Sequence, residues 1–158
     1  MSDIKGLESF YKKLNDLPTG VLKEVGKQVK REGKQVQGIA KMLCPVDTGE
    51  LRQSIKEKAN IEDSRVKSTV FTNKKHGPFV EFGTGPIGQE NHEGISPEVT
   101  PTYTQKGWAY FDKEIEEWIH TRGQPAQPFM YPALKDYEET ATGNIKNAAR
   151  RGLKKVCK

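Results

Sequence analysis

Apolar residues recur at intervals of three and four through the first third of the chain. Ile4, Leu7, Phe10, Tyr11 and Leu14 form one amphipathic stripe, and Val21, Leu22, Val25, Val29, Val36, Ile39, Ala40 and Leu43 form a second. Asp16-Leu17-Pro18-Thr19-Gly20 lies between them, and its proline and glycine predict a break. Gly26, Gly33 and Gly38 sit inside the second stripe, each costing about 1 kcal/mol relative to alanine. That helix is weak by itself and needs packing, against a sheet of its own chain or against a neighbouring copy. Pro45 ends it, because the residue before a proline is biased away from helical geometry. Asp47-Thr48-Gly49-Glu50 has the D-x-x-E spacing of a capping box, which predicts a short helix through Leu51 to Ile55.

The period then changes to two. Val66, Ser68, Val70 and Thr72 alternate with Lys67, Thr69 and Phe71, the pattern of a half-buried strand, and Ile55 to Ile61 pairs with it across Glu62-Asp63-Ser64. Pro78 to Phe82 is a short apolar piece closed by Gly83-Thr84-Gly85-Pro86. Ile87 to Gln105 has no period and many turn residues, so it reads as a long loop, a feature that in compact domains is mostly functional or disordered. Trp108–Phe111 and Trp118–Thr121 flank a charged stretch and suit a hairpin, with a short helix over Lys113 to Trp118 as the rival. From Pro132 a helix runs through Ala133, Leu134, Tyr137, Ala141, Ile145, Ala148 and Ala149. The expected architecture is α+β: N-terminal helices over about residues 1–55, a small, mainly antiparallel sheet with a long loop over about 56–130, and a C-terminal helix over about 131–156 packed on the sheet. The length, 158 residues, suits one domain.

Composition narrows the class. With 34% hydrophobic and 30% charged residues, the chain can bury a core, but a thin one. No apolar run is long enough to span a bilayer, and the start carries no secretory apolar region. Cys44 and Cys157 are far apart, so free thiols are the expectation. Net charge is +5, unevenly placed: six basic residues and no acidic ones from Ala141 to Lys158, against eight acidic and two basic from Glu81 to His120. Such segregation suits contacts between copies or with another protein, and the basic end could touch nucleic acid or anionic lipid. A solvated helix face is the plain alternative.

Motifs that resemble chemistry do not hold together. Gly83-Thr84-Gly85-Pro86-Ile87-Gly88 matches G-x-G-x-x-G, but no strand–turn–helix context surrounds it. Asp47-Thr48-Gly49 spells the aspartic-protease triplet, yet it follows a helix rather than apolar strands, and a capping role explains it. His76, His92 and His120 are isolated, and no cofactor or metal spacing is present. Glu81, in an apolar stretch, is expected to be paired with Lys or Arg. Asp112, Glu114, Glu116 and Glu117 read as a solvated turn. Trp108, Trp118, Phe129 and Tyr131 are each read first as core and second as interface anchors. The expectation is a protein without catalysis.

Four blocks, in this order, are familiar together: Ala40-Lys41-Met42-Leu43-Cys44-Pro45-Val46-Asp47-Thr48-Gly49-Glu50-Leu51-Arg52-Gln53-Ser54-Ile55; Phe79-Val80-Glu81-Phe82-Gly83-Thr84-Gly85; Gly107-Trp108-Ala109-Tyr110; and Thr121 to Leu134, containing Pro128, Phe129, Pro132 and Ala133. The chain resembles the Hong Kong 97-type, gene-product-10-like family of phage tail components. A departure is His76-Gly77-Pro78, where an aromatic–alanine pair often precedes the second block. The resemblance implies a tail-completion or head–tail joining protein of the virion, present in the host cytoplasm during assembly. It implies a ring of copies, commonly six, docked to the head connector and to tail tube or tail terminator proteins. It also implies that Pro45, Asp47, Thr48, Gly49, Leu51, Val80, Glu81, Phe82, Gly83, Thr84, Gly85, Trp108, Pro128, Phe129, Pro132 and Ala133 serve fold and assembly. In such a ring Arg150, Arg151, Lys154 and Lys155 could face packaged DNA without sequence preference. The alternative is a small DNA-binding protein using the basic C-terminal helix.

Overall fold

The computed structural model of the chain is α+β. It describes residues 7–62, 65–112 and 115–156; Ile4, Asp63, Ser64, Glu114, Cys157 and Lys158 lie outside them. The chain forms two compact units, one of residues 1–36, 57–70 and 137–158, the other of 37–56 and 71–136.

In the first unit, helix α1 (Leu7–Leu43) is continuous, so the break expected at Asp16–Gly20 does not occur. A proline inside a helix removes one backbone hydrogen bond, while most helical stability in proteins comes from packing. That packing comes from helix α5 (Met130–Val156). A Cβ on the buried Gly152 would lie 3.0 Å from Val21 Cα, so the two helices approach closely just after Gly20. Strands β1 (Lys56–Glu62) and β2 (Arg65–Phe71) pair as the alternation predicts, with Val66, Ser68 and Val70 half-buried and Arg65, Lys67 and Thr69 exposed. Two of the glycines in α1 make room for this hairpin. A Cβ at Gly26 would sit 2.8 Å from Ile61 Cδ1, and one at Gly33 would collide with Ser68 Oγ, whereas Gly38 faces open space. The partner that the weak helix needs is therefore its own hairpin.

Glu32 is buried in this unit at 5% exposure. It accepts from Tyr137 Oη at 2.8 Å, from Asn144 Nδ2 at 3.3 Å and from Gln28 Nε2. Holding its proton against this carboxylate raises the Tyr137 pKa above the ordinary phenol value. Lys155 Nζ meets Glu24 at 2.9 Å and Arg151 donates to Gln28 at 3.3 Å, so α5 is fastened along α1.

The second unit is built round Phe129, Ile55 and Cys44, all fully buried, with Ala40, Leu51 and Ala133 beside them. It contains helices α2 (Glu50–Ser54), α3 (Gly77–Phe82) and α4 (Gly85–Glu90), and strands β3 (Trp108–Asp112) and β4 (Glu117–Thr121). The apolar piece Pro78–Phe82 is thus helical, and the expected loop from Ile87 is shorter, because its first residues belong to α4. Pro86 opens that helix at a position proline favours. The rest is tied down where Tyr103 Oη donates to Phe82 O at 2.9 Å. Strands β3 and β4 are the expected hairpin, with Trp108 opposite Thr121 and Phe111 opposite Trp118. They form a two-stranded sheet separate from β1–β2. Among the aromatics read first as core, Phe129 is buried, but Trp108 and Trp118 are 41% and 67% exposed.

Candidate functional site

Pro45 terminates α1, with Cys44 N still bonded to Ala40 O at 2.9 Å. The chain then turns through Val46–Gly49 into α2. The capping box does not form: Gly49 occupies the N-cap with φ 80°, and no side chain caps the helix. A residue that must adopt a left-handed backbone is best a glycine, and here it displaces Asp47 from the capping position. Glu50 instead pairs with Lys74 Nζ, which lowers its pKa, and Asp47 is left exposed. Arg52 reaches back to Cys44 O at 3.3 Å. Burial raises the Cys44 thiol pKa, the nearby Arg52 opposing this in part.

Glu81, on α3, is buried at 6% exposure, but among the described residues it has no cation partner. Its carboxylate accepts backbone N–H from Phe129 at 2.8 Å, Met130 at 3.0 Å and Tyr131 at 3.0 Å. These are the orphan donors at the start of α5, and the next residue, Pro132, has no N–H to satisfy. The expected Lys or Arg is replaced by a helix N-terminus, which supplies both donors and a favourable dipole. The second and fourth blocks of the sequence are joined by this one side chain.

The glycines of Gly83-Thr84-Gly85-Pro86-Ile87-Gly88 cradle protein backbone. Thr84 and Gln124 exchange backbone hydrogen bonds, Thr84 N to Gln124 O at 2.9 Å and Gln124 N to Thr84 O at 3.1 Å. At that crossing a Cβ on Gly85 would collide with Arg122 O, and one on Gly123 with Thr84 O. Helix precedes the motif, not strand, so the dinucleotide arrangement is absent here.

These constraints leave an open groove of about 580 Å³ in the second unit. The first block supplies Pro45, Val46, Asp47, Thr48, Gly49 and Leu51 to its wall. Phe79, Val80 and Thr84 come from the second, Trp108 from the third, Gln124, Pro125 and Gln127 from the fourth, and His76 adds an imidazole. All four blocks thus meet at one surface. Glu81, Phe82, Gly83, Gly85, Pro128, Phe129, Pro132 and Ala133 are not in the wall; Glu81, Gly83, Gly85, Phe129 and Ala133 are buried. Two residues that matter here carry no distinctive sequence signal: Phe79, 55% exposed on the groove, and Glu32 in the other unit. Phe79 reads as one member of an apolar run, and Glu32 as one more polar residue on a charged helix.

Among the described residues no three His, Cys, Asp or Glu side chains cluster as a metal site. None of their helices is long and apolar enough to cross a membrane. The four basic residues that could face DNA are all exposed, and two of them, Arg151 and Lys155, also bond to α1. Residues 8–83 match the family described as "Bacteriophage HK97-gp10, putative tail-component". No curated protein and no solved structure gives a significant match to the chain.

Proposed function

Because residues 8–83 match the HK97-gp10-like family of phage tail components, we propose that this protein is a virion part that completes or joins the tail by self-association and docking to connector and tail proteins, without catalysing a reaction. The observation that carries the reading is the convergence of four separate sequence blocks on one groove, with their glycines, prolines and Glu81 used for backbone architecture. The groove is of the size at which proteins receive a partner's side chains or a ligand, and its wall is mixed apolar and polar, with the Asp47 carboxylate among its polar groups. A phage carrying a deletion of this gene should yield filled heads and separate tails, and purified protein added to that lysate should restore joined, infectious particles. Complete particles without the protein would sink the proposal.

A second reading, contact with packaged DNA, is favoured by the distribution of charge between the units. Residues 1–36, 57–70 and 137–158 hold seventeen basic and ten acidic residues, a net +7, while the other unit holds nine and eleven, a net −2. The basic unit would meet phosphates in a salt-dependent, sequence-independent way.

A further inference from the structure

Helix α1 is covered on two sides and bare on a third. Gly26 and Gly33 receive the β1–β2 hairpin, and Val21 meets Gly152 of α5. The bare side carries Lys23, Lys27, Lys30 and Lys34, all exposed. Their spacings of four, three and four hold them within about 60° of arc along about 17 Å of helix. Exposed Arg31 stands beside them. Like charges three and four positions apart repel one another on a helix, and Lys23–Lys27, Lys27–Lys30, Lys27–Arg31 and Lys30–Lys34 are all such pairs. The chain offers this stripe little relief. Among the described residues, the one carboxylate within ion-pair range of these five cations is Glu24, 3.7 Å from Lys27 Nζ. Lys155 of α5 takes the same oxygen at 2.9 Å, so α5 brings a further cation to this side, not an anion.

We propose that this stripe of α1, and not the basic end of α5, is the main landing surface for the phosphates of duplex DNA. This rests on the reading that the basic unit meets DNA. Charge and chemistry select the occupant. A protein partner fits poorly, because protein interfaces are anchored by aromatic side chains and are depleted in lysine, whereas the stripe consists of lysine and arginine. A membrane fits poorly too, because an interfacial helix buries its apolar face in lipid, and that face of α1 is taken up by the hairpin and α5. Duplex DNA requires neither feature. It is a rod with one negative charge per about 1.7 Å of axis, and the stripe runs beside about five base pairs of it. Phosphate contacts of this kind fix position without reading sequence. On α5 the cations are divided: Arg151 and Lys155 are bonded to Gln28 and Glu24, and helical spacing puts Arg150 and Lys154 on the side of α5 away from the Gly152 contact with α1.

The test follows binding of a labelled DNA duplex to the full chain by fluorescence anisotropy over a range of salt. Wild type is compared with a stripe variant, Lys30→Gln with Lys34→Gln, and an α5 variant, Arg150→Gln with Lys154→Gln. All four positions are exposed, and glutamine matches lysine and arginine in helix propensity, so both variants should keep the wild-type circular dichroism and melting temperature. The stripe variant should bind more weakly than the α5 variant, with a log–log salt slope shallower than wild type by about two, one for each phosphate no longer neutralised. An α5 variant that loses as much affinity as the stripe variant, or more, overturns the inference and leaves DNA contact by the basic unit standing. Wild type that does not bind the duplex at low salt overturns both. Phosphatidylglycerol vesicles or polyglutamate that displace the labelled duplex as well as unlabelled duplex does would identify a different partner and overturn the inference.

Discussion

At the scale of single residues, two buried carboxylates hold the structure together through neutral donors. Replacing Glu81 with alanine strands three backbone N–H groups at the start of α5. A loss of about 3 kcal/mol is expected in urea unfolding, with a smaller loss for Glu81→Gln, which keeps one acceptor oxygen. Cys44 gives a second prediction. Its thiol pKa is raised by burial, so the neutral form is favoured in the folded state; stability is full below the ordinary thiol pKa and falls as pH rises through the raised value. In a Cys157→Ser background, alkylation of Cys44 should be slow in the folded protein and fast in denaturant at the same pH. Equal rates would show that the site is open. Glu24 and Glu50 have the opposite sign: Lys155 and Lys74 lower their pKa values. Their contribution is present above the ordinary carboxylate pKa and is lost as pH falls through the lowered values. Thermal melts of Glu24→Gln should therefore show a shallower acid limb than the wild type.

At the scale of elements, the glycines of α1 separate into two kinds. Gly38→Ala places a methyl in open space and should stabilise by about 1 kcal/mol, the ordinary helix-propensity difference. Gly33→Ala drives a methyl into Ser68 on the hairpin and should destabilise despite better propensity, by about 1–3 kcal/mol as overpacking does. Thermal denaturation of the pair checks this, and equal effects would mean that the hairpin does not press on α1. Helices and strands of high periodicity are legible in the sequence, including both hairpins. The Gly49 N-cap is not: Asp47 and Glu50 have the right spacing for a capping box, but a left-handed residue at the junction turns Asp47 away. Likewise Pro18 and Gly20 signal a break that the packing of α5 beside Val21 overrides.

At the scale of the whole molecule, charge rather than shape makes the sharpest prediction. If the basic unit meets DNA, charge reversal at Arg150 and Lys154 should weaken duplex binding and reduce its salt slope by roughly one for each phosphate no longer neutralised. Lys155→Glu should also lower thermal stability, because Lys155 is bound to Glu24. Binding that ignores salt and these substitutions would leave the basic helix a solvated face.

The α+β class, the positions of most elements, the segregation of charge and the family resemblance are legible in the sequence, because these depend on local periodicity, composition and ordered motifs. Tertiary structure alone decided which distant residues meet. Glu81 finds its donors 48 to 50 positions away, at a helix N-terminus. Four blocks spread from Pro45 to Gln127 become one groove, and Trp118 is left outside while Phe129 is fully covered. Burial and long-range hydrogen bonding depend on how the chain folds back on itself, and no local pattern encodes which apolar residue that path leaves uncovered.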